Sequence, residues 1–351
     1  MVPSGNSAPE AQLSIVIPTF NSAPWLPSTL ASVVESLTVA QCAGEIIIVD
    51  DGSTDDTDAM LKDFASSAPF SVLIVSQENQ GKFHARVAGV RAASTDFVVL
   101  MDSRVLLDPG AIAYLLENRD PANPGQPWNG HVPTDPRASI VGQFWTVPTY
   151  VFWGSYLGNP SPTFITPGNF DRVPKGTTLV AMSRGLFEAA CDANTPEANA
   201  HLASDDTKIL RWIASREAIR LEPGFSATYR PRTSVRQFLS HSFLRGTLFV
   251  DSYAGTSLLR NVVLVLLALA PWIALASGIA LAIAGPAWLL ASFLVVLLVA
   301  ALAPAFIAAV RRCPIRALAA YGLLIVPFGF TFASGLLRGV VVHRSAFKRS
   351  T

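Results

Sequence analysis

The chain has 351 residues, of which half are hydrophobic and only 15% are Asp, Glu, Lys or Arg. Soluble domains carry about 25% charged residues, so this composition excludes a disordered or nucleic-acid-binding chain and indicates a membrane protein. The net charge of +1 conceals a division, because residues 258–351 hold 8 basic and no acidic residues, whereas residues 1–257 hold 18 basic and 25 acidic ones. The sequence therefore predicts an acidic domain followed by an apolar, basic one.

The three cysteines, Cys42, Cys191 and Cys313, lack the close spacing of a zinc site or of a disulfide framework. This pattern favours a reducing compartment. Residues 1–12 are polar and contain Pro and Gly, which predicts a flexible N-terminus without a signal peptide. We therefore expect the first domain to lie on the cytoplasmic side of a membrane.

Strands and helices alternate through the first hundred residues. Short apolar, β-branched runs predict buried strands at 13–18, 45–49, 71–75 and 97–101, and periodic apolar residues predict the helices between them. Ser53 and Asp56 have the spacing of a capping box before the second helix. This alternation is typical of an α/β domain with a parallel sheet, in which ligands bind at the carboxyl ends of the strands. Polar clusters follow each of the strands at 13–18, 45–49 and 97–101.

The following stretch is less regular. Pro, Gly and aromatic residues are frequent over 121–174, which predicts a long irregular segment. Helices are expected to begin near Gly185 and at Asp205. Residues 230–253 are amphipathic and basic, and they lead directly into the apolar part of the chain.

Fifty consecutive uncharged residues occupy positions 261–310. About 20 residues span a hydrocarbon core, so this stretch predicts two membrane spans, near 261–283 and 287–310, with Gly285 and Pro286 at the turn. The basic loop that follows, with Arg311, Arg312 and Arg316, fits a return to the cytoplasm.

A third uncharged stretch, 317–337, contains Pro327 and Gly329 and precedes a basic tail at 343–351. A full span would place this tail outside, against the charge rule. A re-entrant hairpin or a tilted interfacial helix would keep it inside, and the sequence leaves both possibilities open.

Three motifs occur in order at the strand ends: SIVIPTFN at 14–21, IIIVDDGSTDDT at 46–57 and NQGKFHARVAG at 79–89. Together with VVLMDS at 98–103 and ASDDTKILRW at 203–212, they resemble the family 2 glycosyltransferases with a GT-A fold. The resemblance covers about 13–250 and implies a nucleotide-sugar half at 13–110 and an acceptor half at 111–250. The apolar helices of 258–342 resemble the membrane domain of members that build lipid-linked or exported polysaccharides.

The resemblance implies a binding site for a nucleotide-sugar donor. Asp51 matches the aspartate that accepts a hydrogen bond from the base, in a pocket also lined by Pro18, Thr19 and Phe20. Turn and capping chemistry is the structural alternative for Asp51. Lys82 and Arg86 lie one helical turn apart and are expected to face the diphosphate together, or else to lie on a solvated helix face.

Asp102 matches the first aspartate of the family's DxD motif, which binds a divalent cation, Mg²⁺ or Mn²⁺, on the diphosphate. The sequence departs from the motif at Arg104, which replaces the second aspartate. Either Asp102 alone holds the metal with phosphate oxygens and water, or Arg104 itself binds the diphosphate.

Asp205 and Asp206 match the family's acidic pair, and Asp206 is expected to be the general base that deprotonates the acceptor. The structural alternative is a helix N-cap before Thr207. The stretch HSFLRG at 241–246 lies where processive members carry QxxRW, but only an arginine, Arg245, is retained and Gly246 replaces the tryptophan, so a processive polymerase is disfavoured. Arg236 precedes this stretch in the same basic segment. These two arginines are expected to bind phosphate or an acidic lipid head group, or simply to lie at the membrane surface.

The sequence thus predicts a multi-pass membrane protein with a cytoplasmic, inverting glycosyltransferase domain. It would transfer a sugar from a nucleotide-sugar donor, expected to be UDP-linked, to a lipid-linked or polysaccharide acceptor, with membrane lipids as further partners and no nucleic acid. One alternative is a transferase that loads a monosaccharide onto a polyprenyl phosphate. Another is a non-catalytic nucleotide-binding scaffold.

Overall fold

The computed structural model describes residues 12–196 and 205–349. Its first part alternates strands and helices, as predicted from the buried apolar runs. The elements in chain order are β1 (Leu13–Thr19), α1 (Leu26–Val39), β2 (Gly44–Asp50), α2 (Thr57–Ser67), β3 (Ser71–Ser76), α3 (Lys82–Arg91) and β4 (Phe97–Met101).

The capping box predicted before α2 is wrong. Asp56 occupies the N-cap position without a side-chain capping bond, and the Asp55 carboxylate accepts from the Thr57 amide instead. The Ser53 hydroxyl accepts from the Asn21 amide. Ser53 therefore ties the two loops after β1 and β2 together rather than capping the helix.

The next part of the chain is more ordered than its composition suggested. The segment 121–174, predicted to be irregular, contains two strands and two helices. The elements after β4 are β5 (Val105–Leu107), α4 (Ala111–Glu117), β6 (Trp128–His131), α5 (Ile140–Gln143), α6 (Thr146–Leu157), β7 (Thr163–Ile165), β8 (Leu179–Ser183), α7 (Arg184–Ala193), α8 (Asp205–Ala214) and β9 (Ile219–Tyr229).

The described strands form one mixed sheet in the order β3-β2-β1-β4-β8-β6-β9-β5, with β7 paired to β9. The first four strands are parallel, and Ile15 of β1 pairs with Ile46 on one side and with Val99 on the other. β8 runs antiparallel to β4, which places Leu179 opposite Met101. The residues that precede β8 therefore lie beside those that follow β4.

Alternate residues of the parallel strands pack on opposite faces of the sheet. Ile15 and Ile17 of β1 join the large apolar core under α1 and α4. Val16 faces α3, where a Cβ added at Gly89 would overlap Val16 and lie 2.8 Å from Val49 Cγ2. This close approach fixes α3 against the carboxyl half of the parallel strands.

The described residues divide into two compact units. The sheet unit comprises 12–135, 160–196 and 205–230, and the helical unit comprises 136–159 and 231–349. The helical unit contains α5, α6 and four further helices: α9 (Val235–Tyr253), α10 (Leu258–Ala284), α11 (Ala287–Val310) and α12 (Ile315–Val342).

Three of these helices, α10, α11 and α12, are long and apolar enough to cross a membrane. α10 ends and α11 begins on either side of the predicted Gly285-Pro286 turn. Most large apolar side chains of α10 and α11 are exposed, as expected for helices surrounded by lipid. The helical unit thus indicates membrane association.

Candidate active site

Arg86 joins two of the predicted site carboxylates. It lies on α3 with only 2% of its side chain exposed. Its Nη2 donates to Oδ1 of Asp102 at 2.9 Å and its Nη1 donates to Oδ1 of Asp206 at 3.3 Å. Asp102 follows β4, and Asp206 is the second residue of α8. One buried cation therefore fixes an acidic residue at a strand end and another at a helix start.

Lys82 also reaches Asp102, but from the solvent side. Its Nζ lies 3.7 Å from Oδ2 of Asp102, and 70% of its side chain is exposed. The two basic residues predicted to face a diphosphate thus share one carboxylate. Because exposed ion pairs of this length are weak, Asp102 holds Lys82 only loosely. Arg86 instead holds the carboxylates in place.

Thr177 adds a contact that the sequence analysis missed. Its hydroxyl donates to Oδ1 of Asp206, and its side chain is buried. Next to it, the carbonyl of Thr178 accepts from the Asp102 amide at 3.1 Å. Both residues precede β8, and the antiparallel pairing of β8 with β4 brings them to this edge. Asp206 is therefore oriented by α3 and by this turn together.

A basic and aromatic group adjoins the same turn. The Lys175 ammonium lies 4.3 Å from the centre of the Phe170 ring, and the Arg211 guanidinium lies 5.1 Å from the same ring. Burial lowers the pKa of Lys175 to about 8, with Asp171 opposing and Arg211 reinforcing this shift. Lys175 is thus a cation near neutral pH that gives up its proton more readily than an ordinary lysine.

The Asp51 carboxylate accepts hydrogen bonds from other residues of the protein. It is buried and accepts from the Gln77 side chain at 2.7 Å and from the amides of Gln80 and Gly81 at 2.8 and 2.9 Å. Gly81 has a positive φ of 91° and immediately precedes α3. Asp51 therefore fixes the loop that starts the helix carrying Lys82 and Arg86.

The predicted lining residues Pro18, Thr19 and Phe20 lie at the carboxyl end of β1. Pro18 and Thr19 are buried, whereas Phe20 is 46% exposed. The Thr19 carbonyl accepts from the Asp51 amide at 2.9 Å. The Thr19 hydroxyl is buried without a hydrogen-bond partner in the described parts of the chain. An exposed aromatic ring beside a polar strand end is suited to stack on a flat ligand.

The described contacts of Arg104 are with Trp25 and Arg230. The Arg104 guanidinium lies 4.1 Å from the centre of the Trp25 ring, and its Nε donates to the Arg230 carbonyl at 3.2 Å. Arg230 in turn donates to the Trp25 carbonyl and to the Thr29 hydroxyl. These contacts tie the chain after β4 to the start of α1 and to the end of β9.

Arg236 and Arg245 both lie on α9 in the helical unit. Arg236 lines a groove of about 480 Å³ together with Arg232, His241 and polar neighbours. The Arg245 guanidinium lies 4.5 Å from the centre of the Trp145 ring. The prediction for Asp205 concerns a side chain outside the described part of the structure.

Asp102 is the residue predicted to bind a divalent cation together with the diphosphate, and it provides one carboxylate. The described residues include no group of three or more His, Cys, Asp or Glu side chains able to hold a metal. Mg²⁺ is often held by one or two carboxylates together with substrate phosphates and water. With 18% of its side chain exposed, Asp102 fits such a site, in which the ligand supplies most of the oxygens.

Comparison with known proteins matches the model of the family "Glycosyl transferase family 2" to residues 14–123. The poly-beta-1,6-N-acetyl-D-glucosamine synthase of Staphylococcus aureus (strain COL) is 30% identical over 139 residues, which are 38% of this chain and 32% of that protein. The undecaprenyl-phosphate 4-deoxy-4-formamido-L-arabinose transferase of Sodalis glossinidius (strain morsitans) is 36% identical over 108 residues, 30% of this chain and 33% of that protein. The chain thus matches about a third of the length of these relatives.

Among solved structures, the fold resembles a mannosyltransferase from Pyrobaculum calidifontis in complex with GDP-Man and Mn²⁺. The TM-score is 0.55 at 20% identity, over 90% of this chain and 86% of that one. This likeness confirms the predicted fold class, a GT-A-like domain followed by apolar helices. The segment that matches the family model carries Asp51, Lys82, Arg86 and Asp102, so this part of the chain is similar to glycosyl transferase family 2.

Proposed function

We propose that this protein is an inverting glycosyltransferase at the cytoplasmic face of a membrane. It would transfer a sugar from a UDP-linked donor to a lipid-linked or polysaccharide acceptor. The observation that carries the proposal is the network of Arg86 with Asp102 and Asp206 at the carboxyl edge of the parallel strands. Ligands of such sheets bind at this edge. The apolar helices would keep the enzyme at the bilayer, where a lipid-linked acceptor is concentrated.

The donor would lie across the ends of β1, β2 and β4. Phe20 would stack on the base, and Asp51 would contact the base or hold the loop that shapes its pocket. Lys82 would leave Asp102 for the diphosphate, since its ammonium is exposed and its ion pair is loose. A divalent cation, Mg²⁺ or Mn²⁺, would be held by Asp102 and by the diphosphate, and when bound it would neutralise charge on the leaving group. The mannosyltransferase solved with Mn²⁺ supports this proposal for the family.

Asp206 would act on the acceptor side. An acceptor hydroxyl oxygen attacks the anomeric carbon while the bond from that carbon to the diphosphate oxygen breaks. The hydroxyl proton passes to the Asp206 carboxylate, and the nucleoside diphosphate leaves with the bonding electrons. Asp206 suits this role because its carboxylate is 43% exposed, so an acceptor can reach it, while Arg86 and Thr177 hold its orientation.

The relative that acts on undecaprenyl phosphate supports a second candidate, transfer of one sugar to a polyprenyl phosphate. The two candidates differ in their need for a base. A hydroxyl must lose a proton on attack, whereas a phosphate monoester, with a second pKa near 6, already carries an ionised oxygen at neutral pH. Asp206 would then be needed for positioning only.

The test is sugar transfer by the purified full-length protein in nanodiscs, with UDP- and GDP-linked sugars and with polyprenyl phosphate or an oligosaccharide as the acceptor. We expect Asp206→Asn to lower turnover by about 10²- to 10⁴-fold with a hydroxyl acceptor while nucleotide binding is retained. Asp192→Asn, at an exposed ion pair of the same unit, is the matched control. A phosphodiester-linked monosaccharide as the product, with little effect of Asp206→Asn, would select the second candidate. Unchanged turnover with a hydroxyl acceptor would remove Asp206 from the role of base.

A further inference from the structure

The two ends of α12 lie against different helices of the helical unit. At its start, Ala317 and Tyr321 pack with Ala308 near the end of α11. At its end, His343 Nδ1 lies 3.5 Å from Oδ1 of Asp251 on α9. Only residues 254–257 separate α9 from α10. The end of α12 is therefore beside the start of α10, and the start of α12 is beside the end of α11.

α10 and α11 form an antiparallel hairpin around the turn at 285–286. A Cβ added at Gly278 would lie 3.4 Å from the Phe293 ring, so the two helices are neighbours close to this turn. If α10 crosses the bilayer, α11 returns to the side on which α10 began. Both ends of α12 would then lie on that same side.

The second half of α12 contacts the first half of α10. The rings of Trp272 and Phe330 are 5.3 Å apart, and Leu336 shares a core cluster with Leu264 and Ala268. Pro327 and Gly329 lie at the middle of α12, where a helix can bend. This packing leads the end of α12 back toward the residues at which α10 begins.

Residues at the end of α5 and along α9 contact one side of α12. Phe144, which directly follows α5, stacks on Tyr321 with ring centres 5.3 Å apart, and its ring centre lies 4.6 Å from that of Phe328. Farther along, the Thr247 hydroxyl of α9 donates to the Gly335 carbonyl at 3.1 Å. Because these helices are in contact, α12 lies at the depth of α9.

α9 itself is unsuited to the hydrocarbon core. It carries the charged or titratable residues Arg236, His241, Arg245 and Asp251. A charged side chain at the bilayer centre costs about 2.5–3.5 kcal/mol or more. α12 is also more covered than its neighbours, since 28% of its most apolar stretch is buried, against 11% for α10 and 6% for α11.

The opposite face of α12 is apolar and exposed along the whole helix. It includes Ile315, Leu323, Val326, Leu337 and Val341. Exposed arginines lie within the helix at positions 316 and 338 and just after its end at position 344. An apolar stripe with arginines beside it is typical of a helix that lies in the membrane interface near anionic head groups.

We propose that α12 lies in the plane of the membrane interface, on the side where α10 begins, so that the chain crosses the bilayer only twice. Its partner is the surface of one leaflet: acyl chains meet the exposed apolar stripe, and anionic head groups meet the arginines. α5 and α9 cover the other face of α12. This inference concerns topology and does not depend on the activity proposed above.

Cysteine labelling of the full-length protein in sealed vesicles tests the topology. Single cysteines are placed at Ser345 after α12, at Ala287 in the hairpin turn and at Glu35 on α1, with an impermeant maleimide as the probe. The wild-type chain gives the background, because its three cysteines are buried. We expect Ser345→Cys to be labelled from the same side as Glu35→Cys, and Ala287→Cys from the opposite side. The proposal would be overturned if Ser345→Cys were labelled from the same side as Ala287→Cys, or if all three single-cysteine variants were labelled from one side.

Spin labels give the depth directly. Leu323 and Val341 are both more than 60% exposed. Positions 323 and 341 are separated by about 27 Å along a straight helix. Labels at these two positions should show similar, shallow depths in vesicles that contain anionic lipid, whereas a label at Leu294 of α11 should be deep. A depth difference approaching the full 27 Å would mean that α12 spans the membrane and would refute the proposal.

Discussion

Replacing Arg86 by methionine tests the network at the centre of the candidate site. The change keeps an unbranched apolar stem but removes the guanidinium, so that Asp102 and Asp206 lose their shared partner. Replacing a whole buried ion pair by apolar residues is often neutral, but removing one partner leaves charge without compensation. The structure therefore predicts a loss of stability as well as a loss of activity.

The size of this loss follows from the geometry. Arg86 is 2% exposed and makes one charged hydrogen bond of 2.9 Å to Asp102, whose side chain is 18% exposed. Such a bond is worth about 1.5–3 kcal/mol. Its second bond, 3.3 Å to Asp206, adds less because that carboxylate is 43% exposed and is screened by solvent. We expect a total loss of about 2–3 kcal/mol, which lowers Tm by roughly 5–10 °C for a unit of this size.

Arg91 provides the matched control on the same helix. It pairs with Asp192 at 3.8 Å, and these side chains are 63% and 73% exposed. Arg91→Met should therefore shift Tm by no more than about 1–2 °C.

The assay is thermal exposure of Cys42 and Cys191 in the full-length protein, read by thiol labelling and peptide mass spectrometry. Both cysteines are buried in the sheet unit, so their labelling reports the unfolding of that unit. Equal shifts for Arg86→Met and Arg91→Met, or a higher Tm for Arg86→Met, would refute the reasoning.

Three further predictions concern packing, protonation and metal. Gly335→Ala should destabilise the helical unit by about 1–3 kcal/mol, because the added Cβ would overlap the Phe243 carbonyl. At Gly322 on the same helix an added Cβ would contact no other atom, so Gly322→Ala should be neutral or slightly stabilising. Equal melting temperatures for the two variants would contradict the packing of α9 on α12. Burial lowers the pKa of Lys175 from 10.5 to about 8, so between these pH values the unfolded chain binds more protons than the folded one. The free energy of unfolding of the wild type should therefore rise by on the order of 1 kcal/mol relative to Lys175→Met from pH 7.5 to 9.5. A difference in Tm between the two proteins that does not change with pH would contradict this environment of Lys175. Nucleotide binding measured by calorimetry should weaken in EDTA and recover with Mn²⁺, and Asp102→Asn should abolish the recovery; a metal effect that survives Asp102→Asn would exclude Asp102 as the ligand.

The first four strands were predictable because each is a short β-branched apolar run that ends in a polar cluster. Local sequence also located α10 and α11, since fifty uncharged residues with one Gly-Pro turn permit few other arrangements. The carboxylates at 102 and 206 could be named from motifs. Their connection through Arg86 could not, because it depends on how deeply α3 packs against the sheet.

Thr177 was missed for a specific reason. The alternation of strands and helices predicts parallel strands, and in such a sheet only the residues after each strand reach the ligand-binding edge. β8 is antiparallel to β4, so residues before it reach the same edge. The pairing of two strands about 80 residues apart leaves no local signal, although the apolar run at 179–183 could have suggested a strand there.

The segment 121–174 forms regular elements although its composition is unusual for helices. α6 contains Pro148, Trp153 and several β-branched residues, which have low helix propensity. Packing stabilises it instead, since Arg311 lies against Gly154 and donates to the carbonyls of Tyr150 and Val151. Tertiary contacts of this kind outweigh local propensity and cannot be deduced from composition.

The most direct test of the proposed function is release of nucleoside diphosphate from a nucleotide sugar by the purified full-length protein with a hydroxyl-bearing acceptor. The wild type should release UDP and form a glycosidic product of inverted anomeric configuration. Asp206→Asn should bind UDP as the wild type does but release it about 10²- to 10⁴-fold more slowly. Binding of neither UDP nor any other nucleotide, with or without Mn²⁺, would contradict the assignment of this site to a nucleotide-sugar donor.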